Sequence, residues 1–253
     1  MGTAALGRAG VGWTQQAACR IPAMSIGYWI HRLIEQGVPH QPLEHRFDEP
    51  FLAFTDPDGL SLALVGEPGA ESEPAWIGYG HIPEQHAIRG LQGVTLLVER
   101  SEPTATILQE VLGFKDAGRA ESVQRFRANS GIGGVIDLQE APGFLPGHLG
   151  RGSVHHVAFR ARDDATQAEM ARKLTTDHHL HLTPQLDRKY FRSVYFREPG
   201  GILFEIATDD PGFTVDETVE ALGRDLKLPS FLESQRNEIT AALPELRAVE
   251  QAS

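Results

Sequence analysis

The chain has 253 residues, enough to bury a core without help from disulfides or metals. Its hydrophobic fraction of 41% and charged fraction of 23% exclude collagen-like and disordered classes, and its apolar runs are too short for a transmembrane helix. With 23 Lys and Arg against 34 Asp and Glu, the formal charge of −11 argues against electrostatic binding of nucleic acid or anionic membranes and favours a small-molecule partner.

Residues 1–12 are rich in Gly and Ala and lack the apolar stretch of a secretory signal peptide, so a cytoplasmic location is expected. Their run Gly7-Arg8-Ala9-Gly10-Val11-Gly12 is not a phosphate loop, because no Gly-Lys-Ser/Thr follows and no strand precedes it. An apolar segment over Trp13 to Ile21 holds Cys19, the single cysteine. It excludes an intrachain disulfide and a thiolate zinc site, and its place in an apolar strand makes it a core residue. Ile26, Trp29, Ile30, Leu33 and Ile34 recur at helical spacing, with Ser25 to cap the start and Gly37 to end the helix. Strands at Phe51 to Thr55 and Leu60 to Val65 flank the turn Asp56-Pro57-Asp58-Gly59. The first unit, residues 7–66, thus reads β-α-β-β-β, and residues 67–90 read as a linker rich in Gly, Pro and Glu.

The same order returns twice. Residues 91–141 hold a strand from Leu91 to Glu99, a helix from Thr104 to Leu112 closed by Gly113, and strands at Gln124 to Ala128 and Val135 to Gln139 around Gly133-Gly134. Residues 152–209 open with a strand over Ser153 to Arg160. A helix follows behind an Asp164/Gln167 capping box, and strands at Ser193 to Arg197 and Ile202 to Thr208 flank Glu198-Pro199-Gly200-Gly201. Thr214 with Glu217 and Ser230 with Glu233 form two further capping boxes, which predict a helical tail over residues 210–253. The fold class is α+β, built of three repeats. Superposed by their turns, the first and third units set Ala63 opposite Glu205, and the first strands set Gln16 and Gly93 opposite His156. Only the third unit has ionisable groups at both positions, the pattern of a site grafted on a repeated scaffold.

One imidazole and one carboxylate, joined by a second imidazole, make the triad that suits Fe(II) and leaves open positions; Mn(II) or Zn(II) would accept the same donors. The His155-His156-Val157-Ala158-Phe159 strand and the Pro199 to Ile206 strand resemble the vicinal oxygen chelate (glyoxalase/bleomycin resistance/dioxygenase) superfamily. The run Asp187-Arg188-Lys189-Tyr190-Phe191-Arg192-Ser193-Val194-Tyr195-Phe196-Arg197 up to Gly201 is similar to its ring-cleaving, hydroquinone-type dioxygenase group. So are His86-Ala87-Ile88-Arg89-Gly90 and Leu226-Lys227-Leu228-Pro229. The resemblance implies βαβββ modules paired into cupped mixed sheets. It implies His156 and Glu205 as ligands of Fe(II), Tyr195 and Arg188 as groups that orient substrate, and His155 as a proton carrier. His155 faces away from His156 on an ideal strand, so that role requires a bulge or twist.

The resemblance further implies a dihydroxylated aromatic substrate cleaved with O₂. In that family the other ligand histidine comes from an additional first module, whereas Gln15-Gln16 and Gln92-Gly93 stand at the matching positions here. His81, His86, His178, His179 and His181 read as surface residues. Three units leave one without a mate, and an exposed sheet edge favours a homo-oligomer. A non-catalytic aromatic or quinone binder, or a glyoxalase-like isomerase or transferase, are the alternatives on the same scaffold.

Overall fold

A computed structural model describes residues 5–76 and 81–244; the middle of the expected linker and the end of the expected tail lie outside them. The first module comprises β1 (Trp13–Pro22), α1 (Ile26–Glu35), β2 (Glu44–Arg46), β3 (Glu49–Thr55) and β4 (Ser61–Glu67). The second comprises β5 (Leu91–Val98), α2 (Ser101–Glu110), β6 (Lys115–Ala120), β7 (Val123–Arg127) and β8 (Val135–Glu140). The third comprises β9 (Val157–Ala161), α3 (Asp164–Thr176), β10 (Leu186–Asp187), β11 (Arg192–Arg197) and β12 (Leu203–Thr208).

Modules one and two share one sheet in the order β2-β3-β4-β1-β5-β8-β7-β6, and module three forms its own in the order β10-β11-β12-β9. Each first strand pairs in parallel with its module's last, and β1 pairs antiparallel with β5. The large sheet is therefore two modules joined by their first strands. In module three β9 has no strand on its other side among the described residues. No described helix is long and apolar enough to cross a membrane.

Local chemistry explains most element ends. Gly37, Gly59, Gly113 and Gly201 have φ of +64°, +91°, +75° and +94°, the left-handed region where the expected stops and turns need glycine. Several expected caps are different. Ser25 does not cap α1; its hydroxyl donates to the Gln85 carbonyl at 3.0 Å, and His86 Nδ1 also lies at 3.0 Å. Asp163, not Asp164, caps α3 by accepting from Thr166 N–H at 2.8 Å, while buried Gln167 turns inward to donate to the Arg192 and Ile206 carbonyls. The two tail boxes do not form. Thr214 lies in a 3-10 turn over Phe213–Val215, and Glu233 is held by Arg236 at 2.7 Å instead of reaching back to Ser230. The tail is a set of 3-10 turns ending in α4 (Arg236–Ala242).

The short strands β2, β6 and β10 complete the β-α-β-β-β order that the sequence implied but did not place, because residues such as Lys115 to Arg119 are exposed and show no apolar alternation. Conversely, β4 is buried on both faces over Ala63 to Val65, because a helix covers one face and the cup the other.

The main core runs between modules two and three. Leu96, Ile107, Leu108, Phe126 and Leu138 pack with Phe159, Leu174, Phe196, Phe204 and Ile206. A separate cluster of Ile21, Trp29, Leu33, Leu52 and Leu64 holds α1 on its sheet. The glycine-rich opening is structural. Gly7 and Arg8 bond to the backbone of Arg151 and His148, and a Cβ on Gly10 would sit 2.3 Å from the Leu145 carbonyl oxygen, so only glycine lets these two segments touch.

Candidate functional site

β9 and β12 run parallel with Ala158 beside Glu205, and β11 places Tyr195 opposite Glu205. Since side chains two apart share a face, His156, Ala158 and Arg160 lie along one side of the β9 segment, and Phe159 and Ala161 point into the core. His156 precedes the first residue of β9, so the expected strand starts four residues later than its sequence suggested. His156 Nε2 meets Glu205 Oε2 at 2.8 Å. Glu205 is only 3% exposed, and its other oxygen, Oε1, is buried without a hydrogen-bond partner. The Tyr195 ring stands edge-on to His156 with centroids 5.6 Å apart. The Arg188 guanidinium lies 5.8 Å from the centre of the Tyr195 ring. Among the described residues neither Arg188 in an ion pair nor the Tyr195 hydroxyl in a hydrogen bond has a protein partner.

His155 touches His156, Nδ1 to Nδ1 at 2.9 Å. The backbone before β9 is not extended strand, which releases His155 from the strict alternation that would turn it away. One of the two nitrogens must carry the proton for this contact to be a hydrogen bond. An open cavity of about 520 Å³ spreads in front of His156 and Glu205, walled by Phe159, Tyr190, Phe191 and Phe213. Its size suits one aromatic ring with substituents. The Tyr190 and Phe213 rings stack at 5.1 Å, so the wall is fixed by a contact between β11's approach and the tail.

A model of the Glyoxalase/Bleomycin resistance protein/Dioxygenase superfamily matches residues 90–206. "Putative ring-cleaving dioxygenase MhqO" of Bacillus subtilis is 40% identical over 223 residues, 88% of this chain and 70% of that protein. The chain belongs to this superfamily. A further member, "Chlorohydroquinone/hydroquinone 1,2-dioxygenase" of Sphingobium indicum, is 30% identical over 239 residues, 92% of this chain and 73% of that protein. A crystal structure described as a "putative dioxygenase from Bacillus subtilis" superposes with a TM-score of 0.87 at 38% identity, covering 95% of this chain and 76% of the other.

Among the described residues the three modules differ at the strand position of Glu205. Thr95 on β5 pairs with Asp137 on β8, and Arg125 on β7 faces Asp137, the same register relation that joins Ala158, Glu205 and Tyr195 in module three. There the carboxylate is spent on protein. Arg125, 1% exposed, grips Asp137 through two 2.8 Å bonds and Glu49 through a third at 2.6 Å. In module one Ala63 stands at the same register, between Ala18 and Ala53. Gln16 is equally occupied, donating to Ser61 and Leu62. Sequence reasoning missed Asp137 because superposing turns puts Gly133-Gly134 on Gly200-Gly201 and Leu138 on Glu205, one residue out of strand register. The alternation of Ile136, Asp137 and Leu138 held the signal. His86 stacks on Tyr28 at 4.3 Å and is structural, as is Cys19, whose thiol burial pushes up in pKa.

The donor set fits a divalent metal in part. A buried carboxylate with one oxygen unpaired beside an imidazole nitrogen has a place for a cation, yet no group of three or more His, Cys, Asp or Glu converges among the described residues.

Proposed function

We propose that the protein is an Fe(II)-dependent, extradiol-type ring-cleaving dioxygenase acting on a dihydroxylated aromatic of the hydroquinone or catechol class. The observation that carries the reading is Glu205, buried with Oε1 unpaired and Oε2 at 2.8 Å from His156, at the head of an aromatic-walled cavity. The relatives named above support the reaction class. His156 and Glu205 would hold the metal as one imidazole and the carboxylate of a 2-His-1-carboxylate set; Mn(II) or Zn(II) would take the same donors. When bound, the metal supplies the redox link between an electron-rich ring and O₂.

The chain's own residues then have distinct work. Tyr195 offers a free phenol to a substrate hydroxyl, and Arg188 is an uncommitted cation for phenolate charge. His155 carries a proton to or from the His156 side of the cavity through the 2.9 Å contact. The unpaired β9 edge is where another βαβββ unit would add a strand and a further imidazole. A second copy is one source, and a homo-oligomer is part of the proposal.

The finding of only two donors among the described residues favours a second reading, a non-catalytic binder of an aromatic or quinone in the same cavity. Anaerobic loading with Fe(II), followed by metal analysis and O₂ uptake with hydroquinone, separates the two. Iron near about one per chain with O₂ consumption supports the enzyme. Tight binding of hydroquinone with neither iron nor O₂ uptake supports the binder.

A further inference from the structure

On the far side of the His155–His156 contact lies a second cavity, of about 570 Å³. It is enclosed by the start of β1, the segment around Pro146 to Leu149, and the β11–β12 turn. That volume falls within the ~300–1,000 Å³ typical of small-molecule sites. Its lining is chemically one-sided. Arg197, His148 and His155 line it and, among the described residues, no Asp or Glu does, in a chain whose formal charge is −11. The Arg197 guanidinium donates to the Gly201 carbonyl at 2.9 Å and has no carboxylate within ion-pair distance among the described residues. Trp13, Val154 and Leu203 give it an apolar surface.

We propose that this cavity binds a small organic carboxylate, with the anionic end on Arg197 and the hydrocarbon body against Trp13. A planar guanidinium with free N–H groups matches a carboxylate in fork geometry. The apolar wall selects an organic acid over an inorganic anion. The inference goes beyond the proposed reaction and does not depend on metal at His156.

The test is calorimetric titration of the full chain with benzoate, with benzamide as its uncharged match. Benzoate binds, and benzamide binds at least about fivefold more weakly. Arg197→Gln lowers benzoate affinity by about fivefold to tenfold. Glu205→Ala, which alters the other cavity, leaves benzoate affinity unchanged. No benzoate binding at millimolar concentration, equal binding of benzamide, or loss of binding in Glu205→Ala but not in Arg197→Gln overturns the proposal.

Discussion

At the scale of single residues, the candidate centre rests on Glu205 being buried and half-satisfied. A carboxylate in that state needs a cation or a donor, because an unpaired buried oxygen costs about 1–3 kcal/mol. His156 answers one oxygen only. Glu205→Gln keeps the shape and removes the charge, and we expect at least about tenfold less Fe(II) retained after dialysis. His156→Ala should do the same; retention equal to the unmodified protein in both variants would falsify the metal assignment. Tyr195→Phe removes one hydroxyl that has no hydrogen-bond partner among the described residues. Its expected effect is a drop in kcat of roughly a hundredfold with little change in melting temperature. A fall in stability without a fall in turnover would make Tyr195 a packing residue. The residue types of the candidate pair were legible in sequence here, since His156 and Glu205 are the positions at which the third copy departs from the first. The His155 contact was not legible, because it depends on where β9 starts.

At the scale of elements, two glutamates fasten α2 to strands. Glu140, at the end of β8, accepts from the Ser101 N–H at 2.9 Å and the Ser101 hydroxyl at 2.7 Å, and so serves as the cap that α2 lacks in its own sequence. These bonds, with Arg119 behind them, hold its pKa at about 2 instead of the ordinary 4.5. The folded chain therefore favours the ionised form. Its stabilisation is complete above pH 4.5 and fades as pH falls towards 2. Melting temperatures measured across this window should decline less steeply in Glu140→Gln than in the unmodified chain, and parallel curves would count against the cap.

Glu198 works between modules. It accepts from Thr104 Oγ1 on α2 at 2.6 Å and from the N–H groups of Gly200 and Ile202 at 2.8 and 2.9 Å. Burial pushes its carboxyl upward in pKa, and these three donors oppose that. Glu198→Ala leaves three donors without an acceptor, so a loss of about 3 kcal/mol in urea denaturation is expected. The Glu198-Pro199-Gly200-Gly201 turn was legible as a turn. Its hold on α2 was not, since Thr104 lies 94 residues away.

At the scale of the whole molecule, the same four-stranded unit occurs in three chemical states. Module one has alanine at the carboxylate register, module two has an aspartate neutralised by Arg125, and module three has an open carboxylate. Arg125 also reaches Glu49 on β3, which with Arg127 ties the two halves of the large sheet together across its cup. Arg125→Met would strand Asp137 and Glu49 without their shared cation, at a cost of about 3–5 kcal/mol. Urea unfolding reads this directly, and a change below about 1 kcal/mol would show that the cluster does not hold the sheet.

By itself the sequence determined the repeated βαβββ order, the glycine turns, the family, and the residue types at the third copy's special positions. These are local: glycine conformations, strand and helix periods, and motifs within a few tens of residues. Tertiary structure alone decided which modules share a sheet, that Asp137 is quenched while Glu205 is not, and that Arg197 and Trp13 line one cavity. Pairing partners and the fate of a buried charge depend on groups far apart in the chain, where no short-range pattern records them.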